Sequence, residues 1–136
     1  MSCTGSFAVS CENFGGLEMS DSVHFGIIPE IDGTRDYSQF DSFEEVCRLH
    51  RCIEIGNEYA NKWVNQSGHI STFACTLERP FCGIDYCGVT LIPPDSLPEL
   101  LGIIRLDAKR EAAVFNLMIL IEKAIENGNF LIVYGV

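Results

Sequence analysis

The sequence predicts an α+β fold with a mostly antiparallel sheet of about five strands and three helices packed on it. Short runs of alternating apolar residues, typical of strands, occur in both halves of the chain. Longer segments between them carry apolar residues at the spacing of one helix face. The resulting order, β-β-α-β-β-α-α-β, keeps pairs of strands together in the sequence, which favours antiparallel pairing.

Length and composition predict a single domain over residues 1–136. The chain is 47% hydrophobic, which is enough for one core. Its longest apolar run is far shorter than the about 18 residues that cross a bilayer, and residues 1–11 lack the positive charge that opens a secretory signal. Seven cysteines are an odd number, which favours reduced thiols over a disulfide framework. We therefore expect a soluble cytoplasmic protein.

The first part of the chain predicts two strands and a loop. Apolar residues alternate over residues 7–11 and again over residues 23–27, and Pro29 ends the second strand. Residues 30–41 are polar and rich in turn-forming residues, so they predict a loop.

The helix that follows this loop is predicted to continue to about residue 65. Ser42 and Glu45 form a capping box at its start. Apolar residues then recur at helical spacing as far as Val64. Two ion pairs are predicted on its exposed side, Glu44 with Arg48 and Glu58 with Lys62.

The second half of the chain predicts a hairpin, a short helix and a C-terminal helix and strand. The hairpin joins strands at residues 73–77 and 87–91. Asp107 is a candidate N-cap for the last helix, and Asn127-Gly128 ends that helix. Residues 130–134 place apolar side chains on both faces, which predicts an inner strand covered on both sides.

The outward side of the last helix also carries three apolar residues, Ala112, Phe115 and Ile119. We expect them to pack against another element, and otherwise to form part of an interface, including one between copies of a homo-oligomer.

No residue pattern in the sequence predicts a cofactor, a metal centre or an enzyme. Cys47 and His50 lie close together on one helix face, but two ligands are too few for a metal site. Cys82 is the best candidate for a nucleophile, although no helix N-terminus is predicted there to activate its thiol. The alternative function is a small enzyme or ligand-binding domain with a pocket near Cys82, Tyr86 and Cys87.

The charge of the chain is negative and uneven. The net charge is −10, and residues 1–46 hold nine acids against a single base. This disfavours direct binding to nucleic acid or to an anionic membrane, because phosphate contacts require clustered Lys and Arg. A basic protein partner is favoured instead.

The acidic stretch over residues 30–45 is the strongest functional candidate. It holds six acids against Arg35. One interpretation is a solvated loop followed by carboxylates at a helix N-terminus. The other is an electrostatic docking surface for a basic protein, with aromatic anchors. On the second interpretation, the partner-binding residues are Glu30, Asp32, Asp36, Tyr37, Phe40, Asp41, Glu44 and Glu45.

The strand-Pro-Pro-helix segment from Thr90 to Leu100 and the closing helix and strand, in a small acidic chain, resemble bacterial immunity proteins of the contact-dependent or polymorphic toxin type. The resemblance implies a protein that binds and inhibits a cognate toxin, often a nuclease with a cationic active site. An acidic surface would suit such a target, because it raises the association rate and occupies the place of the substrate.

Overall fold

The computed structural model describes residues 22–135, so the strand predicted at residues 7–11 lies outside it. The described residues form one antiparallel sheet of six strands with four α-helices, which confirms the predicted α+β fold. The strands are β1 (Ser22–Ile28), β2 (Ile53–Gly56), β3 (Ser71–Ala74), β4 (Pro80–Cys82), β5 (Val89–Ile92) and β6 (Phe130–Tyr134). The helices are α1 (Phe43–Leu49), α2 (Asn57–Gln66), α3 (Leu97–Arg105) and α4 (Ala112–Asn127), with a 3-10 turn at Pro94–Ser96 before α3.

The C-terminal strand β6 lies near the centre of the sheet, whose strand order is β2-β1-β6-β5-β3-β4. It pairs with β1 on one side and with β5 on the other. Its last four residues are all buried. The prediction of an inner strand covered on both faces is therefore confirmed.

Two apolar cores lie on opposite faces of the sheet. Helices α2, α3 and α4 cover one face, where Trp63 and Leu117 are fully buried. The loop over residues 30–41 and α1 cover the other face, where Tyr37 packs in the same cluster as Ile132. The sheet thus separates the main helical layer from the loop and α1.

Helices α1 and α2 are separate, so the prediction of one continuous helix is wrong. Strand β2 lies between them at the edge of the sheet and pairs with β1. Ile53 and Gly56 fit the spacing of one helix face, but Ile53 and Ile55 also alternate with Glu54 and Gly56 as in a strand. Over so few residues the two periodicities cannot be told apart from the sequence.

Helix α4 begins later than its predicted N-cap, Asp107, because that residue has a different role. Asp107 is buried, and its carboxylate accepts hydrogen bonds from Lys62 Nζ at 2.8 Å and Trp63 Nε1 at 3.0 Å. The predicted pair of Glu58 with Lys62 is wrong, since the Lys62 ammonium bonds to Asp107 instead. This contact ties α2 to the segment between α3 and α4.

The two strands predicted as a hairpin do pair, as β3 and β5, but a further strand lies between them in the sequence. Strand β3 ends at Ala74, before Cys75 and Leu77 of the predicted strand. Phe73 on β3 lies opposite Leu91 on β5, as the two predicted strands require. The residues between them add β4, which pairs with the outer side of β3. Cys75 follows β3 with a left-handed φ of 66°, which turns the chain out of the strand.

The outward side of α4 remains exposed. Phe115 is 48% exposed and Ile119 is 36% exposed. The expectation that they pack against another element is therefore wrong for the described part of the chain. None of the helices within residues 22–135 is long and apolar enough to cross a bilayer.

The described cysteines are in two states. Cys82 and Cys87 are each disulfide-bonded, whereas Cys47, Cys52 and Cys75 are free. The expectation of reduced thiols is wrong for the first two, because an odd cysteine count excludes complete pairing within one chain and not individual disulfides.

Candidate functional site

The loop over residues 30–41 and α1 border an open groove on the face of the sheet opposite the main helical layer. We call it the α1 groove. Its volume is about 820 Å³. The loop supplies one wall and α1, with the turn that follows it, supplies the other. The residues that line it are Arg35, Gln39, Phe40, Asp41, Glu45, Val46, Arg48, Leu49 and Arg51.

Helix α1 is short, and its position is fixed at both its start and its inner face. The Ser42 hydroxyl oxygen accepts the backbone N–H of Glu45 at 3.3 Å, which confirms the predicted N-cap. Glu44 and Glu45 lie in the first turn, where the helix dipole favours carboxylates. Val46 is buried in the second core. The exposed side of α1 is consequently held in place beside the loop.

Two local turns set the shape of the loop. Asp32 Oδ1 accepts hydrogen bonds from the backbone N–H and the hydroxyl of Thr34, at 2.9 and 2.7 Å. Asp36 Oδ1 accepts from the same groups of Ser38, at 3.0 and 2.6 Å. These hydrogen bonds hold the pKa of both carboxyl groups below its usual value. Both aspartates are charged residues that form turns, and neither lines the α1 groove.

Tyr37 is buried, so it does not serve as the surface anchor that the sequence predicted. It is only 4% exposed and packs in the second core. Its hydroxyl oxygen accepts the backbone N–H of Asp32 at 2.9 Å, and its own N–H donates to the carbonyl of Cys75 at 2.8 Å. Tyr37 therefore fastens the loop to the sheet. A polar loop gives no sequence signal that one of its residues will be covered in this way.

The remaining predicted partner-binding residues divide into two groups. Phe40, Asp41 and Glu45 come together in the α1 groove, and Phe40 is 37% exposed. The others lie outside the lining of the groove, and we call them the outer acids: Glu30, Asp32, Asp36 and Glu44.

Three arginines also line the α1 groove, where they outnumber its two acids, Asp41 and Glu45. The guanidinium of Arg35 lies 5.0 Å from the centre of the Tyr37 ring, within the range of a cation–π contact. The groove itself is therefore weakly positive, although the stretch around it is acidic.

Arg48 and Arg51 are functional candidates that the sequence did not single out. Neither makes an ion pair with another residue in the described range, so the predicted Glu44–Arg48 pair is wrong. Both belong to the end of α1, which the prediction of a continuous helix concealed. A prediction that ended the helix near residue 50 would have identified Arg48-Leu49-His50-Arg51 as a basic helix terminus.

An aromatic cluster around Tyr134 lies between α1 and the sheet. The rings of Phe40 and Phe43 meet the Tyr134 ring edge to face, with centroids 5.7 and 5.4 Å away. His50 stacks on the same ring, and its Nδ1 shares a hydrogen bond of 3.0 Å with the Tyr134 hydroxyl. Burial lowers the pKa of His50 and raises that of Tyr134, so both side chains are neutral near pH 7.

The residues proposed for an alternative pocket do not share either of the two concavities described within residues 22–135. Cys87 lines a smaller concavity of about 290 Å³ beside Tyr134, but Cys82 and Tyr86 line neither concavity. Since Cys82 is disulfide-bonded, it has no free thiol to act as a nucleophile. Within residues 22–135 no group of three or more His, Cys, Asp or Glu side chains is placed to hold a metal ion.

No protein-family model, curated protein or solved structure matches the chain.

Proposed function

We propose that this chain is a cytoplasmic immunity protein, which binds a cognate basic toxin and inhibits it by covering the active site. The expected toxin is a nuclease. A nuclease active site is cationic because it holds a polyanionic substrate, and a cationic site suits an acidic inhibitor. The contact surface comprises α1, the loop over residues 30–41 and the α1 groove between them.

The observation that carries this proposal is the exposure of large apolar side chains around the groove. Six large apolar residues are exposed in the described part of the chain, and three of them, Phe40, Phe43 and Leu49, lie here. Leu49 is 68% exposed. Exposed aromatic and apolar residues surrounded by charge are typical of protein–protein interfaces, and aromatic residues often contribute much of the binding energy.

The charge around these apolar residues favours a basic partner. Residues 30–51 hold six acids against three arginines, a local balance of −3, within a chain of net charge −10. A field of this sign raises the rate at which a cationic protein associates.

The arginines in the groove add a constraint on the partner. We expect the partner to place a carboxylate against these arginines, while its basic residues face Asp41, Glu45 and the outer acids. A pattern of both signs fixes the register of a complex, since wrong orientations bring like charges together.

The cytoplasmic location is part of the same proposal, and the cysteines bear on it in opposite directions. The free thiols of Cys47, Cys52 and Cys75 agree with a reducing compartment. The disulfides of Cys82 and Cys87 are unusual for one. Counting the free thiols of protein alkylated directly in intact native cells would decide between the two environments.

The test of the proposed function is inhibition of the purified product of the adjacent gene. The wild-type chain is expected to inhibit it at a one-to-one ratio, and Leu49→Glu should weaken this inhibition at least about tenfold, because it charges the most exposed apolar residue of the surface. Leu106→Glu is the matched control, since Leu106 is 75% exposed and lies outside the groove. Equal inhibition by both variants, or none by the wild type, would contradict the proposal.

A further inference from the structure

Two free cysteines, Cys47 and Cys52, lie on either side of the end of α1. The chain between them forms a regular helix-termination motif. The N–H of Cys52 donates to the carbonyl of Cys47 at 2.9 Å, and the N–H of Arg51 donates to the carbonyl of Arg48 at 3.3 Å. Arg51 has the left-handed φ of 56° that this motif requires. These features define a Schellman motif, in which the residue after the turn folds back onto the last helical turn. Cys47 and Cys52 occupy the two positions whose side chains come into contact in such a motif.

The two thiols lie close enough to affect each other's ionisation, since their interaction favours the charged form of Cys47 and opposes that of Cys52. Cys52 also packs closely against β1, because its Sγ lies 2.9 Å from the point that a Cβ on Gly26 would occupy. The same Cβ would lie 2.9 Å from the Cβ and the carbonyl oxygen of His50, so glycine at this position leaves room for both Cys52 and His50. The side chain of Cys52 is therefore restrained beside β1 at the end of α1.

We propose that Cys47 and Cys52 form a site of reversible oxidation, in which a disulfide between them closes the end of α1. The oxidant is a low-molecular-weight disulfide such as oxidised glutathione. This inference rests on the geometry of the helix end and does not depend on the proposed toxin.

The reaction proceeds through two exchanges. Cys47 loses its proton, and its thiolate attacks one sulfur of oxidised glutathione, which forms a mixed disulfide and releases one glutathione thiolate. Cys52 then loses its proton and attacks the Cys47 sulfur, which breaks the mixed disulfide and releases the second glutathione. Two protein thiols are oxidised, one glutathione disulfide is reduced, and the two released thiolates take up the two protons.

The disulfide would act on the proposed docking surface as well as on the helix. Arg48, Leu49 and Arg51 lie between the two cysteines and line the α1 groove. Closing a short ring around them removes conformations from the unfolded chain and fixes the end of α1. Burial raises the pKa of both thiols, so we expect the exchange to be slow at neutral pH and faster as the pH rises.

The test is a tryptic digest, under non-reducing conditions, of the full chain equilibrated with mixtures of reduced and oxidised glutathione. Trypsin cleaves after Arg48 and after Arg51, so only a disulfide keeps the peptide that ends at Arg48 joined to the one that begins at Cys52. We expect this linked species, lighter than the sum of its two peptides by two hydrogen atoms, to form more quickly at alkaline pH and to disappear on reduction.

Two variants provide the controls, one at Cys47 and one at Cys75, the free cysteine that follows β3. Cys75→Ser should leave the linked species unchanged, and Cys47→Ser should abolish it. The proposal would be overturned if the two peptides were recovered separately, as free thiols or as glutathione adducts. This result would have to hold at every ratio of reduced to oxidised glutathione that keeps Cys82 and Cys87 oxidised. A link from Cys47 or Cys52 to Cys75 would also overturn the proposal. The wild-type digest decides the question even where a variant fails to fold.

Discussion

At the scale of single residues, Asp107 illustrates how a charge is accommodated in the main core. It is 1% exposed. Its burial by itself would raise its pKa, but hydrogen bonds from Lys62 and Trp63 and the Lys62 charge more than offset this, so the pKa lies below its usual value. Asp107 is therefore ionised and holds the fully buried Trp63 indole in place.

Replacing Asp107 is expected to destabilise the protein strongly. Asp107→Ala should lower the free energy of unfolding by about 3 kcal/mol, because the Trp63 N–H is left buried without an acceptor and Lys62 loses its partner. Asp107→Asn should cost less, since the amide oxygen can still accept one hydrogen bond. Urea denaturation measures both, and an Asp107→Ala variant as stable as the wild type would refute this role.

His50 makes the stability of the protein depend on pH in the mildly acidic range. It is 5% exposed, and burial lowers its pKa from the ordinary value of 6.5. Below about pH 6.5, the unfolded chain therefore binds a proton at His50 more readily than the folded chain does. His24 contributes in the same direction, since burial lowers its pKa as well.

We accordingly expect the free energy of unfolding to fall as the pH is lowered from about 6.5 through the depressed pKa of the histidines. The contribution of Asp107 is lost separately, below its ordinary value of 3.8. In His50→Gln, which can still bond to Tyr134 but does not titrate, the loss should be smaller. Urea midpoints across this pH range test the expectation, and an unchanged pH dependence in the variant would rule out His50 as a cause.

At the scale of elements, the boundary between α1 and β2 is set by one backbone conformation. Arg51 adopts a left-handed φ, a position that helices most often fill with glycine. No glycine or proline marks this position in the sequence, so the apolar spacing extends across it without a visible break.

Glycine at this position should stabilise the protein. Arg51→Gly is expected to raise the free energy of unfolding by about 1 kcal/mol, because glycine has no steric penalty at positive φ. The matched control is Arg48→Gly, within α1, which should lower the free energy of unfolding by about 1 kcal/mol. Chemical denaturation compares the two, and a loss of stability in Arg51→Gly would show that the arginine side chain matters more than its backbone.

The elements that the sequence predicts correctly are those with long or two-sided patterns. The apolar face of α4 extends over 16 residues, and Gly128 ends it with a φ of 69°. Strand β6 is apolar on both faces, as its central position requires. Strand β2 has only four residues, which is too few to separate helical from strand spacing.

At the scale of the whole molecule, the sheet separates the main apolar core from the surface proposed to bind the toxin. The main core lies under α2, α3 and α4, whereas the loop and α1 present an exposed mixture of apolar and charged side chains on the other face. Composition predicts the acidic character of this surface, because net charge needs no knowledge of the fold. It does not predict that Tyr37 faces inward or that Arg48 and Arg51 face the groove, because those placements depend on contacts distant in sequence.

The turn-forming roles of Asp32 and Asp36 determine which charges should be changed to test the docking surface. Reversing their charge would also remove hydrogen bonds that shape the loop. Asp41 and Glu45 are exposed and line the groove, so they are the better positions.

The most direct test of the docking surface is the association rate with the product of the adjacent gene, measured at low and high salt. We expect Asp41→Lys with Glu45→Lys to lower this rate at least about tenfold at low salt and less at high salt. Glu58→Lys with Glu126→Lys is the control, because it changes the net charge equally at exposed positions outside the groove. It should stay within about twofold of the wild type. Equal effects of the two double variants would mean that only net charge matters, and would contradict a docking surface at α1 and the loop.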